Sequence, residues 1–220
     1  MSTSQAVAEQ RIAIFGGSFD PPHLAHFELL EEVQKEFKFQ KIWIVPSHFP
    51  PQKTPLASFE QRLRWCREIF SSSPFEVSDL EKNSNQTVFG IEIFSQLSLK
   101  NPKANYFWIL GEDQWQQLSF WKNIDAYGRK LEWIVLPREK ATPLQRNWGV
   151  LSRRLAKTST AYEVADVKMR DSISSTEIRL ALGKKNAKSN DQNEIFQWIP
   201  ESIKTEVLET YQPLMKGDLH

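Results

Sequence analysis

Residues 16–26 read Gly-Gly-Ser-Phe-Asp-Pro-Pro-His-Leu-Ala-His. Gly16 and Gly17 let a ligand approach the main chain closely. Asp20 is a candidate helix cap, and Pro21 and Pro22 suit a first helical turn. A helix then begins near His23, and its N-terminus offers amides and a partial positive charge to a phosphate. His23 and His26 are three apart and share one helix face, where both imidazoles can donate to an anion. Two plainer readings stay open for the same residues. The segment could be a tight connection with no ligand. The histidine pair could also be half of a zinc site completed by carboxylates, since only His48, His220 and Cys66 remain as nitrogen or sulfur ligands.

The second unusual segment is Ile-Ser-Ser-Thr-Glu-Ile-Arg at 173–179. Ser174 with Glu177 fits a capping box that opens a helix. The hydroxyls of Ser174, Ser175 and Thr176 can cradle an anion there, and Arg179, one turn later, can clamp phosphate oxygens. By itself the segment is equally a well-capped surface helix.

These residues need a scaffold. Apolar, β-branched runs predict strands at 11–15, 41–46, 75–79, 105–111, 131–137 and 162–167. Helical spacing predicts helices at 23–37, 58–70, 87–100, 175–183 and 200–211. The alternation, with several strands apolar on both sides, predicts an α/β fold. We expect a Rossmann-like, doubly wound parallel sheet with helices on both faces and a small C-terminal helical portion. Residues 11–215 are expected to form a single domain, with 171–215 as its C-terminal helical part and 1–10 disordered. Residues 47–58 and 184–194 read as loops. In such sheets the ligand lies beyond the carboxyl ends of the strands, the edge at which residues 16–26 fall.

Composition narrows the partners. Lysine and arginine total 28 against 27 aspartates and glutamates, a net charge of +1. That balance argues against a broad basic face for nucleic acid. The single cysteine, Cys66, excludes a disulfide within the chain and suits a reducing compartment. The first ten residues lack the pattern of a signal peptide, and no apolar run is long enough to cross a bilayer. A cytoplasmic protein with neither nucleic-acid nor membrane partners is expected; a homo-oligomer is compatible with the sequence.

The segment GGSFDPPHLAH resembles the GG-[ST]-F-[DN]-P-x-H-x-G-H signature of the nucleotidyltransferase superfamily, and ISSTEIR resembles its I-S-S-T-x-I-R signature. Within that superfamily the chain most resembles the nicotinate mononucleotide adenylyltransferases. VPSHFPPQK (45–53) is similar to their VPxxxPPHK, and LGEDQWQQLSFWK (110–122) to their G-x-D…W segment. The tail FQWIPESIKTEVLETYQPL is similar to their L-V-P-x-x-V-x-x-Y-I-x-x-x-x-L-Y. The likeness runs in order from about residue 11 to about residue 215.

The resemblance implies adenylyl transfer from ATP to nicotinate mononucleotide, giving deamido-NAD and pyrophosphate, with Mg²⁺ carried mainly by ATP. It implies that Gly16, Gly17, Ser18 and Phe19 hold ATP, and that His23, His26 and Arg179 act on its phosphates as the catalytic set. Ile173, Ser174, Ser175 and Thr176 would meet phosphates at a helix N-terminus. Gly111 belongs to the same ATP-binding set, and Asp113 would accept hydrogen bonds from the ribose. On the acceptor side, Trp121 would stack on the pyridine ring, Thr87 would lie near its carboxylate, and Lys53 would sit in the substrate loop. Read alone, Asp113 is as easily a helix cap, Trp121 a core residue and Lys53 a solvated loop lysine. No metal ligands are assigned in the chain.

The chain departs from the family pattern at two positions. Ala25 stands where the signature has glycine, which bears on ATP affinity. Gln52 stands where histidine is usual and cannot carry charge, which bears on the choice of acid over amide. The alternatives are an enzyme that accepts or prefers nicotinamide mononucleotide, an adenylyltransferase for another phosphate acceptor, and a non-catalytic nucleotide-binding regulator.

Overall fold

The computed structural model describes residues 10–51, 53–136, 161–163, 173–183 and 195–211. Its centre is a parallel sheet of strands β1 (Arg11–Gly17), β2 (Lys41–Pro46), β3 (Phe75–Val77), β4 (Asn105–Gly111), β5 (Leu131–Leu136) and β6 (Ala161–Glu163). Their order is β3-β2-β1-β4-β5-β6. The sheet grows outward in one direction from β1 through β2, then in the other through β4. The reversal at the β1–β4 pair leaves a crevice at the carboxyl ends of the strands.

Strand side chains alternate between two apolar layers. Ala13, Phe15, Ile42, Ile44, Phe107, Ile109 and Ile134 face one layer. It is covered by helices α1 (Leu24–Phe37), α2 (Phe59–Ile69), α6 (Ser175–Gly183) and α7 (Glu201–Tyr211). Ile12, Ile14, Trp43, Val45, Trp108 and Trp133 face the other. That layer is closed by α3 (Gly90–Lys100), α4 (Glu112–Gln116) and α5 (Ile124–Tyr127). The double burial explains why these strands read as continuous apolar runs. Cys66, on α2, is fully buried in the first layer as a free thiol, which burial makes harder to ionise.

The predicted elements are found with shifted ends. The helix expected from 87 starts at Gly90, because Phe89 is extended (φ −89, ψ 157) and serves as its N-cap. Of the strand expected at 162–167, residues 161–163 form β6 and the rest lie outside the described residues. So do most of 1–10 and all of 184–194. Among the described residues, no helix is long and apolar enough to cross a membrane.

Candidate active site

The crevice begins where β1 ends. An ideal Cβ at Gly17 would lie 3.3 Å from the Phe19 ring, so glycine there lets that ring close over the backbone. Phe19 takes a positive φ of 48°, uncommon for a bulky residue. Its buried ring meets Phe15 edge-on at 5.7 Å and His26 at 5.3 Å. Residues 16–19 thus form a tight loop whose aromatic plug supports a histidine.

His23, not Asp20, is the N-cap of α1. Its backbone N–H donates to His26 Nδ1 at 3.3 Å. Nδ1 of His26 is therefore an acceptor, and the ring proton belongs on Nε2. The two imidazoles lie 3.7 Å apart between centroids, inclined at 31°. Burial lowers the His26 pKa to about 4. Burial, and then the neighbouring His26, lower that of His23 well below its ordinary value. Both rings are neutral near pH 7, so they act as hydrogen-bonding groups and not as cations.

This has a consequence for stability. Between the ordinary value of 6.5 and about 4 the unfolded chain binds the His26 proton more readily than the folded one. The stability tied to the neutral ring is complete above pH 6.5 and is lost as pH falls toward 4. At pH 5 the loss is about 2 kcal/mol. Thermal unfolding at pH 7 and pH 5 should show a smaller fall for His26→Asn than for the parent. Equal falls would remove His26 from the account.

Asp20 was expected to cap the helix; instead it is buried and ties three segments together. Its carboxylate accepts the N–H groups of Leu56 and Ala57, each at 3.0 Å, and the hydroxyl of Tyr211 at 2.6 Å. The partners lie 36, 37 and 191 residues away, which is why local sequence suggested a cap. The first turn of α1 is also less open to an anion than expected, because Leu24 N–H donates to the Trp198 carbonyl at 2.8 Å.

The 173–179 segment packs directly on this loop. Ser175 Oγ donates to the Pro21 carbonyl at 2.8 Å. Arg179 Nη1 donates to the Asp20 carbonyl, lies 3.5 Å from the Asp20 carboxylate, and Nη2 reaches Thr176 Oγ1 at 3.1 Å. The expected capping box forms: Ser174 N–H donates to Glu177 Oε2 at 2.7 Å, and Glu177 N–H to Ser174 Oγ at 3.2 Å. Ser174, Ser175 and Thr176 thus each have a protein partner in this state. Ile173 packs against the first apolar layer.

Across the crevice, Trp121 is half-buried and meets Trp108 of β4 edge-on at 5.4 Å. A Cβ at Gly16 would lie 3.9 Å from the same Trp108, so one indole links the loop after β1 to Trp121. A Cβ at Gly90 would come within 2.8 Å of Tyr127 Oη and 3.1 Å of the Trp121 ring, a separation only glycine permits. Trp121 therefore packs on the core while staying only half-buried. Gly111 caps α4, with an Asp113 oxygen 2.7 Å from the position of a Cβ on it. Asp113 is exposed at the crevice edge, Thr87 is half-buried, and Lys53 is exposed. Gln52 lies outside the described residues, and Ala25 is half-buried in the first turn of α1. Among the described residues, no group of three or more histidines, cysteines or carboxylates is placed to hold a metal ion.

Two supporting residues were not singled out in the sequence. Arg62 is 1% exposed, and its guanidinium donates to the carbonyls of Ala57 (3.2 Å), Ser18 (2.5 Å), Ser47 (2.7 Å) and His48 (3.4 Å). One side chain thereby joins the loop after β1 to the loop after β2. Glu81, also buried, accepts from His48 N–H at 2.8 Å and from Ser47 Oγ at 3.2 Å. The available signal was a polar residue inside the apolar stripe Phe59, Leu63, Cys66.

Comparison with known proteins agrees with this geometry. The family model Cytidylyltransferase-like matches residues 14–181. A Thermotoga maritima protein named "Probable nicotinate-nucleotide adenylyltransferase" is 31% identical over 93% of this chain and 94% of its own. A protein of the same name from Pseudothermotoga lettingae is 32% identical over 63% of this chain and 71% of its own. In fold, the chain is similar to the Plasmodium falciparum nicotinic acid mononucleotide adenylyltransferase complexed with NaAD. The TM-score is 0.73 at 21% identity, covering 96% of this chain and all of that one.

Proposed function

The chain belongs to the cytidylyltransferase-like family, and on that premise we propose that it transfers the adenylyl group of ATP to nicotinate mononucleotide. The products are deamido-NAD and pyrophosphate, a step of NAD biosynthesis. The observation that carries this reading is the meeting of 16–26 with 173–179, shown by Ser175 Oγ on the Pro21 carbonyl 154 residues away, beside a tryptophan-walled crevice. The named activity of the Thermotoga maritima relative, aligned over nearly the whole chain, supports the choice of substrates.

The chemistry asks little of a base. A phosphate monoester has a second pKa near 6 and is mostly dianionic at neutral pH. Its oxygen attacks the α-phosphorus of ATP in line. A new oxygen–phosphorus bond forms as the bond to the bridging oxygen breaks, and pyrophosphate leaves with the electron pair. The protein's part is alignment and stabilisation of the charge that spreads onto phosphoryl oxygens. His26, neutral with its proton on Nε2, is a hydrogen-bond donor to those oxygens, with His23 beside it. Arg179 supplies the charge by turning from Asp20 to the triphosphate. Gly16, Gly17, Ser18, Phe19, Gly111, Asp113 and residues 173–176 hold the nucleotide; Lys53, Thr87 and Trp121 hold the acceptor. Mg²⁺ arrives as part of the MgATP substrate and keeps most of its waters. The lone buried thiol suits a reducing, cytoplasmic setting.

Pyrophosphate release from MgATP, with nicotinate and nicotinamide mononucleotides offered separately, tests this reading. Turnover with the acid is the expected result. Turnover with the amide alone would overturn the acceptor, and none with either would overturn the activity. Trp121→Ala should raise the KM of the pyridine nucleotide at least about fivefold, an aromatic stack being worth about 1–3 kcal/mol. The ATP KM should change less than threefold. Equal changes in both would make Trp121 a core residue only.

A further inference from the structure

We propose that Tyr211, on the C-terminal helix, is a positioning residue for Arg179 that acts through the Asp20 carboxylate. The proposal rests on the phosphate role of Arg179 given above. Asp20 is 3% exposed, so its charge depends on the donors around it. Leu56 N–H serves Oδ2, while Ala57 N–H and the Tyr211 hydroxyl serve Oδ1. Arg179 stands 3.5 Å from Oδ2, an ion-pair distance and not a bonded fork. Its Nη1 bonds to the Asp20 main-chain carbonyl instead.

The arrangement leaves Arg179 held by the Asp20 carbonyl and Thr176 and not by the carboxylate. A carboxylate satisfied by three fixed donors does not draw the guanidinium into a bidentate grip. Tyr211 is the strongest of the three by length, at 2.6 Å, and its phenol stays protonated because burial and the adjacent Asp20 oppose ionisation. Remove that hydroxyl and Oδ1 loses a donor it cannot replace from water. The movable donor nearest to the carboxylate is Arg179. The guanidinium then sinks onto Asp20, and the triphosphate must compete for it. Helix α7 also grips α2 through Glu206, which accepts from Trp65 Nε1 at 2.8 Å and pairs with Arg64. Loss of one hydroxyl therefore leaves the helix seated.

Tyr211→Phe in the full chain tests this. The ATP KM should rise three- to tenfold while the acceptor KM changes less than twofold. KM does not depend on the fraction of molecules that fold, so a modest loss of stability does not confuse the result; Tyr211→Met, also lacking the hydroxyl, should behave alike. Arg179→Gln should raise the ATP KM by itself, and adding Tyr211→Phe to it should have no further effect. An unchanged ATP KM in Tyr211→Phe, with a raised one in Arg179→Gln, overturns the proposal alone. So does a full additional effect in the double variant. No effect from Arg179→Gln overturns the role of Arg179 and this proposal together.

Discussion

Replacing His26 with alanine should lower kcat by about a thousandfold, the upper range for losing one preorganised donor in a transition state. The expectation follows from three features of the ring. Its Nδ1 is occupied by His23 N–H, which fixes the tautomer. Its plane is braced by Phe19 at 5.3 Å and Phe15 at 6.2 Å. Its depressed pKa keeps it a neutral donor across the working range. The fold should survive. The variant loses one hydrogen bond, about 1 kcal/mol, or 2–4 °C of melting temperature in a chain of this size. Single-turnover kinetics with saturating MgATP separate the chemical step from binding. A rate within threefold of the parent would show that His26 only packs.

The second large effect is on stability. Arg62→Ala should lower the melting temperature by about 8–16 °C, from a loss of about 4 kcal/mol. Four carbonyls lose their donor at once, three of them in the loop after β2 and one, Ser18, in the loop after β1. The Phe59 ring also loses the guanidinium that lies 5.6 Å from its centroid. Arg62→Lys keeps the charge but can reach fewer of these acceptors, so it should fall between parent and alanine. A melting temperature within 3 °C of the parent for Arg62→Ala would mean that water replaces the guanidinium at little cost.

The contrast between these residues shows what sequence could convey. The strands 41–46 and 105–111 were legible residue for residue, because a strand buried on both faces must be apolar throughout. Segments 16–26 and 173–179 were legible because their residue types are unusual and local. Ser174 with Glu177 forms its cap within four residues, so spacing sufficed. Asp20 was misread because its partners come from Leu56, Ala57 and Tyr211, and adjacent Pro21 made a cap the simplest account. Arg62 was passed over for a related reason, despite its place inside an apolar stripe. A charged residue in a helix ordinarily reads as solvated, and only the folded loops turn four carbonyls toward it. Trp121 stayed ambiguous because its packing does not enclose it: the ring meets Trp108 edge-on and lies against Gly90, yet it is only half-buried.

Cys66 gives the molecule a built-in clock. It is the sole thiol in 220 residues and has no exposed surface. A thiol-specific reagent reacts with the thiolate and needs access, so in the native state it must wait for α2 to part from the sheet. The labelling rate in mild conditions then counts those openings, as amide exchange does for a backbone group. Because α2 carries Arg62 and anchors α7 through Trp65, the same openings dismantle the support beneath the loops after β1 and β2. Any ligand bound there should lower the logarithm of the labelling rate in proportion to the free energy with which it holds the layers shut.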